Sequence, residues 1–156
     1  MIYTECNPDS ILVKFLTNIP GKEIVHEQGK YNVCNRLERR GNCKGLIDED
    51  PSSTQHPYTA KIDVLKEFPE HDLKVLHDKS RNNYIIVLCP RLEEWILNVV
   101  KETGVDVKRY GLPDNAKKLH AHINISQDGF ARLLNDSKLK ASGRLKALKR
   151  LLERGQ

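Results

Sequence analysis

The first 50 residues alternate between short β-prone runs and segments with helical periodicity. Residues 1–5, 22–28 and 43–47 predict strands. Between them, residues 8–19 and 29–40 carry apolar side chains at the three- and four-residue spacing of amphipathic helices. This βαβαβ order favours a largely parallel sheet, because parallel strands need a crossover connection. Ligands of such sheets bind beyond the carboxyl ends of the strands, where the strand order reverses.

The rest of the chain extends this α/β pattern and then becomes helical. We predict a short helix at residues 61–68, two strands around a turn at residues 72–90 and a longer helix at residues 91–104. An irregular segment follows at residues 104–118, and two further helices are predicted at residues 126–136 and 138–154. The predicted fold class is therefore α/β, with three layers (α/β/α) and a mainly parallel sheet. Residues 1–103 form the predicted core, and residues 104–156 form a helical extension packed on the same domain.

Acidic residues follow two of the predicted strands. Glu5 ends the first strand, and Asp48 and Asp50 end the third in the stretch "GLIDEDP". If these strands are neighbours, their axes lie about 4.8 Å apart and the carboxylates converge on one cation. Alternate residues of a D-x-D point the same way, which leaves Glu49 turned aside. Mg²⁺ suits such a site, being held by one or two carboxylates, waters and phosphate oxygens. An ordinary acidic turn is the alternative interpretation.

Three segments together resemble the Toprim domain, the metal-binding module of topoisomerases, primases and OLD-family and RNA-maturation nucleases. "IYTECNPDSILVKFL" supplies a strand-end Glu5 and Asp9 near a helix start, and "GLIDEDP" supplies the D-x-D. "CPRLEEWIL" is similar to a segment of nuclease-like relatives, with Glu93 and Trp95 at its acidic and aromatic positions. The resemblance covers residues 1 to about 100. Cys6 departs from the pattern, since many Toprim domains have glycine there.

The resemblance implies a stand-alone, nuclease-like Toprim fold that hydrolyses phosphodiesters with Mg²⁺ or Mn²⁺. It implies that Glu5, Asp48 and Asp50 are catalytic residues, and that these three residues together with Glu93 are the metal ligands. Glu5 either completes the metal shell or acts as general base, and both roles stay open. For Glu93, a helix N-terminal acid favoured by the helix dipole is the alternative.

Basic residues predict a nucleic-acid partner. The net charge is +5, but residues 138–154 alone hold seven basic residues and one acid, so the rest of the chain is slightly acidic. A local basic patch attracts a phosphate backbone. The alternative is a solvated helix whose leucines face the core. The two interpretations are compatible, because the leucines and the basic residues lie on different faces of the helix. The predicted nucleic-acid contacts are Lys79, Arg81, Lys140, Arg144, Lys146, Lys149 and Arg150.

Other features narrow the location and the function classes. No apolar run approaches the roughly 20 residues that span a bilayer, and the N-terminus lacks the pattern of a secretory signal. Four scattered cysteines without a C-x-x-C pair suit a reducing compartment. We therefore expect a cytoplasmic protein with no membrane partner. The sequence leaves open DNA or RNA as substrate, a homodimer, and a partner ATPase.

The sequence also allows two other functions and one weaker candidate metal site. A non-catalytic domain that binds nucleic acid or protein is the main alternative to the nuclease. A haloacid-dehalogenase-like phosphatase is disfavoured, because its D-x-D lies on the first strand. His120 and His122 have a spacing that binds zinc from a strand, but with no third ligand evident an exposed pair is favoured.

Overall fold

The computed structural model describes residues 1–154 and shows an α/β fold around one six-stranded sheet. The strands, in chain order, are β1 (Ile2–Thr4), β2 (Ile24–His26), β3 (Lys44–Asp48), β4 (Val64–Phe68), β5 (Leu73–Asp78) and β6 (Asn83–Leu88). Their order across the sheet is β2-β1-β3-β6-β5-β4. The first four strands in this order are mutually parallel, and β5 and β4 add an antiparallel edge. The predicted α/β class and mainly parallel sheet are confirmed.

Helices cover both faces of the sheet. They are α1 (Asn7–Leu16), α2 (Lys30–Glu38), α3 (Pro57–Ala60), α4 (Leu92–Thr103), α5 (Ala116–Ile125), α6 (Asp128–Leu134) and α7 (Gly143–Arg154). Apolar residues of α1 and α4–α7 form one core with one face of the sheet. Those of α2 and α3 form a second, smaller core with the other face. The arrangement is compatible with three α/β/α layers.

The strand order reverses between β1 and β3. Helix α1, which connects β1 to β2, lies on one face, and α2, which connects β2 to β3, lies on the other. Crossovers that leave in opposite directions open a crevice at the carboxyl ends of the two strands between them. Here those two strands are β1 and β3, which are hydrogen-bonded neighbours. The crevice therefore lies where Glu5 and Asp48 end their strands.

The C-terminal helices belong to the larger core. Leu148 and Leu152 of α7 are fully buried in the same cluster as Leu12 of α1 and Trp95 of α4. Among residues 1–154, no helix is both long and apolar enough to cross a membrane.

Two expected elements differ from the structure. Residues 61–68 predict a helix, but Val64–Phe68 form the edge strand β4 because they pair with β5. Residues 104–118 predict an irregular segment, and no helix is predicted for the residues around His120 and His122. Helix α5 instead begins at Ala116, where the side chain of Asn115 accepts a hydrogen bond from the Lys118 N–H. Pairing with β5 explains why residues 64–68 form a strand. The N-cap at Asn115, which the sequence prediction did not recognise, explains the start of α5.

Candidate metal centre

Glu5 and Asp48 meet at the crevice between β1 and β3. The Glu5 Oε1 atom accepts a hydrogen bond of 2.7 Å from the backbone N–H of Asp48. The Asp48 Oδ1 atom in turn accepts one of 2.9 Å from the N–H of Leu92, the first residue of α4. Each carboxyl group is therefore fixed by a backbone donor.

Two further acids come from the first turns of α1 and α4. Asp9 is 3% exposed, and its Oδ2 accepts a 3.1 Å hydrogen bond from the N–H of Cys6, the N-cap of α1. Glu93 is 5% exposed, and its Oε1 lies 2.7 Å from His120 Nδ1. Helix N-termini favour negative charge, so both positions suit carboxylates. We call Glu5, Asp9, Asp48 and Glu93 the acidic cluster.

Three pKa values in the acidic cluster are raised. Burial, and then the charges of Asp9, Glu5 and Glu93, raise the pKa of Asp48 to about 9. Burial is also the main cause for Glu5, whose pKa rises to about 7, and for Asp9, whose pKa rises to about 6. Buried carboxylates that repel one another disfavour their own ionisation. A bound cation reverses this balance, since it attracts every member.

Asp50 lines the same cavity as Asp48 but forms an ion pair with Arg91, and its role as a metal ligand stays a prediction. Its backbone has a positive φ of 43°, and its Oδ1 accepts hydrogen bonds of 3.2 and 3.1 Å from the guanidinium of Arg91. Burial alone would raise the pKa of Asp50, but the hydrogen bonds outweigh it and the pKa is lowered. Glu49 turns aside, as expected, and forms an ion pair with Lys74.

An open cavity of about 800 Å³ borders the acidic cluster. Its lining residues include Asp48 and Glu93, together with Lys117 and His120 of α5. The His120 ring is 66% exposed, whereas the Glu93 side chain that it contacts is 6% exposed. His122 points elsewhere, because residues two apart on a helix are separated by about 200°. The expected exposed histidine pair is therefore divided, and one member contributes to the cavity.

The seven predicted nucleic-acid contacts fall in different places. Lys79 and Arg81 lie in the turn between β5 and β6, at the opposite end of the parallel strands from the acidic cluster. Arg144 is committed to ion pairs with Asp72 at 2.9 Å and Glu102 at 3.1 Å. The remaining four are exposed on or beside α7: Lys140, Lys146, Lys149 and Arg150.

The donor chemistry of the acidic cluster fits Mg²⁺ or Mn²⁺, which prefer carboxylate oxygens. The geometry fits less closely. Among residues 1–154, no three His, Cys, Asp or Glu side chains are arranged as a group that could hold a metal ion. Glu5 and Asp48 instead each direct a carboxyl oxygen to a backbone N–H group. Which of these carboxylates act as ligands is therefore part of the proposal below.

Comparison of the chain with family models, with curated proteins and with solved structures gives no significant match.

Two residues of the site are missing from the predicted site residues. Asp9 appears in the sequence pattern, yet only its position three residues after the N-cap indicates that its side chain faces back toward Cys6. His120 was set aside for lack of partners, since its contact Glu93 lies 27 residues earlier. The cap at Asn115 was the signal for the helix that carries it.

Proposed function

We propose that this protein hydrolyses phosphodiester bonds of a nucleic acid at the acidic cluster, with Mg²⁺ or Mn²⁺ as cofactor. One observation supports the proposal most: four carboxyl groups gather at the crevice where the strand order reverses. Three of them have raised pKa values, so the folded chain keeps acids together at a cost. A cation that offsets this cost, beside an open cavity, is what metal-dependent phosphoryl chemistry requires.

The Toprim resemblance is part of this proposal. Its support is the spatial order of the acids: Glu5 after β1, Asp9 in the first turn of α1, and Asp48 at the end of the neighbouring strand β3. The pairing of Asp50 with Arg91 weakens one element of the resemblance, the second acid of the D-x-D.

We propose Glu5, Asp9 and Asp48 as the residues that hold the cation. A bound Mg²⁺ supplies neutralising charge for the phosphate oxygens and activates water. The backbone donors of Asp48 and Leu92 orient Glu5 and Asp48, so these side chains lose little freedom on binding. The contact with His120 holds Glu93 at the wall of the cavity and leaves the exposed part of the imidazole ring toward a substrate.

A cleavage assay tests the activity. The protein is incubated with supercoiled plasmid, single-stranded DNA and structured RNA, each with Mg²⁺, Mn²⁺ or EDTA. Asp48→Asn removes the charge yet retains an oxygen for the Leu92 N–H, and Asp114→Asn makes the same change at an exposed position. We expect metal-dependent cleavage that falls at least about 100-fold in Asp48→Asn, as for other lost electrostatic contributions in active sites. Asp114→Asn should cleave like the wild type.

A stability measurement tests the metal site independently of cleavage. A ligand at ten times its Kd adds about 1.4 kcal/mol to the free energy of unfolding. We expect Mg²⁺ to stabilise the wild type in urea denaturation but not Asp48→Asn. Absence of both cleavage and Mg²⁺ stabilisation in the wild type overturns the proposal. Binding of nucleic acid that persists in EDTA without turnover favours the non-catalytic alternative.

A further inference from the structure

A groove on the side of the molecule joins the end of α1 to α7. We call it the α1–α7 groove; its lining residues are Phe15, Leu16, Lys140, Leu145, Lys146 and Lys149. Its volume is about 380 Å³, and its floor is apolar. Three lysines and no acid line it, although Glu153 approaches Lys149 to 4.0 Å at its edge.

An aromatic ring and a cation meet in this groove. The Lys140 Nζ atom lies 5.2 Å from the centroid of the half-buried Phe15 ring, a cation–π contact. Lys140, Lys146 and Lys149 are exposed. Their charge has no balancing acid in the lining, in contrast to Arg144, which is neutralised by two carboxylates.

From this combination we infer that the α1–α7 groove binds a single-stranded segment of nucleic acid, in which a base replaces the Lys140 ammonium against Phe15 and the three lysines contact phosphates. Single-strand sites combine a positively charged groove with an aromatic platform, because unpaired bases expose a stacking face. A duplex hides that face. An acidic peptide satisfies the lysines but has no specific use for the aromatic ring.

The groove is distinct from the acidic cluster but connected to it through α1. Asp9 lies in the first turn of this helix and Phe15 in the last, about 9 Å apart along the helix axis. A strand held against Phe15 therefore lies about 9 Å along α1 from Asp9, at the proposed site of chemistry. The inference rests on the proposed function for the class of ligand, a nucleic acid, and not for the hydrolysis.

Fluorescence anisotropy in EDTA tests the groove without the metal. The probes are a labelled oligothymidylate, a single-stranded RNA and a DNA duplex. Lys146→Ala/Lys149→Ala removes two groove charges, and Lys108→Ala/Lys118→Ala removes two exposed charges elsewhere. We expect the groove variant to weaken single-strand binding about tenfold and to reduce the salt slope by about 1.4, as for two lost phosphate contacts. The control variant should change the Kd by no more than about threefold.

Phe15→Leu separates stacking from charge. We expect a several-fold weaker Kd for single strands with an unchanged salt slope, since base stacking is lost while the charges remain. Circular dichroism confirms that each variant is folded.

Several outcomes overturn the inference: no single-strand binding by the wild type in EDTA, equal weakening by both lysine pairs, or tighter binding of duplex than of single strands. Direct binding of a labelled glutamate-rich peptide is measured in parallel. Peptide binding without nucleic-acid binding assigns the groove to an acidic protein instead. If cleavage fails while groove-dependent binding holds, the proposed hydrolysis falls and the inference stands.

Discussion

Asp48 and Asp50 lie two residues apart, yet their surroundings move their pKa values in opposite directions. Burial and neighbouring carboxylates raise the pKa of Asp48, whereas the Arg91 guanidinium helps to lower that of Asp50. Arg91 and Leu92, which contact these two aspartates, come more than 40 residues later in the chain. The D-x-D motif therefore predicted where the acidic cluster lies, but the surroundings of each aspartate depend on contacts that no local spacing encodes.

Asp78 is the clearest case of a carboxylate stabilised by hydrogen bonds. It is 7% exposed, and it accepts from the Tyr58 hydroxyl, from Ser80 and from the N–H of Arg81. Burial alone would raise its pKa, but these donors outweigh burial and lower the pKa to about 2. The depressed pKa contributes stability that is present above pH 4 and lost as the pH falls toward 2.

We predict that Asp78→Asn lowers the free energy of unfolding by about 2 kcal/mol at pH 7. The difference from the wild type should shrink as the pH falls from about 4 toward 2, because protonation of Asp78 in the unfolded chain then stabilises the unfolded state. Urea denaturation between about pH 2 and pH 7 measures this, with the exposed Asp114→Asn as the matched control. A difference that stays constant across this range would show that the charge of Asp78 contributes nothing.

At the level of elements, the sequence pattern predicted every strand of the sheet except β4. β1, β2 and β3 follow from alternation of apolar runs with helical segments. β4 does not, since its five residues are mostly exposed and become a strand only by pairing with β5. Helix α5 was recognisable from Asn115, with Leu119 and Ile123 four residues apart on its buried side. The contact of this helix with Glu93 could not be predicted, because helix propensity does not specify tertiary contacts.

Gly129 allows α6 to pack closely against the 3-10 turn at Val107–Tyr110. A Cβ atom at this position would lie 2.5 Å from the carbonyl oxygen of Tyr110 and 3.1 Å from Leu112. A backbone atom cannot move aside as a flexible side chain does. The close approach therefore outweighs the gain of about 1 kcal/mol that alanine normally brings to a helix.

We predict that Gly129→Ala lowers the free energy of unfolding by about 1 to 3 kcal/mol, the usual cost of overpacking. Gly21→Ala is the matched control, because no atom lies within 4 Å of a Cβ built there. Urea denaturation of both variants measures the effect. An equal free energy of unfolding for the two would mean that α6 shifts at no cost.

For the whole molecule, the larger core joins both ends of the described chain. Four leucines of α7 are buried in it: Leu145, Leu148, Leu151 and Leu152. Each buried leucine contributes about 1.5 to 3 kcal/mol, so together they rival the whole net stability of a typical domain, about 5 to 15 kcal/mol. We therefore expect the larger core to need the helical extension that covers it.

We predict that a fragment of residues 1–103 does not unfold cooperatively, because it lacks α5–α7. Trp95, fully buried in the intact chain, should show the fluorescence of a solvated indole. Thermal denaturation followed by Trp95 fluorescence measures this. Addition of a fragment of residues 104–156 should restore a folded signal. A sharp transition in the first fragment alone would show that its core is sufficient.

The packing of α1 against α6 and α7 also has a consequence for synthesis on the ribosome. Leu12 and Val13 are synthesised more than 100 residues before most of the residues of α6 and α7 that cover them. At about 5 to 20 residues per second, this delay is on the order of ten seconds. We expect nascent α1 to be a target of chaperones that bind apolar segments, and the acidic cluster to assemble only after α6 and α7 have been synthesised.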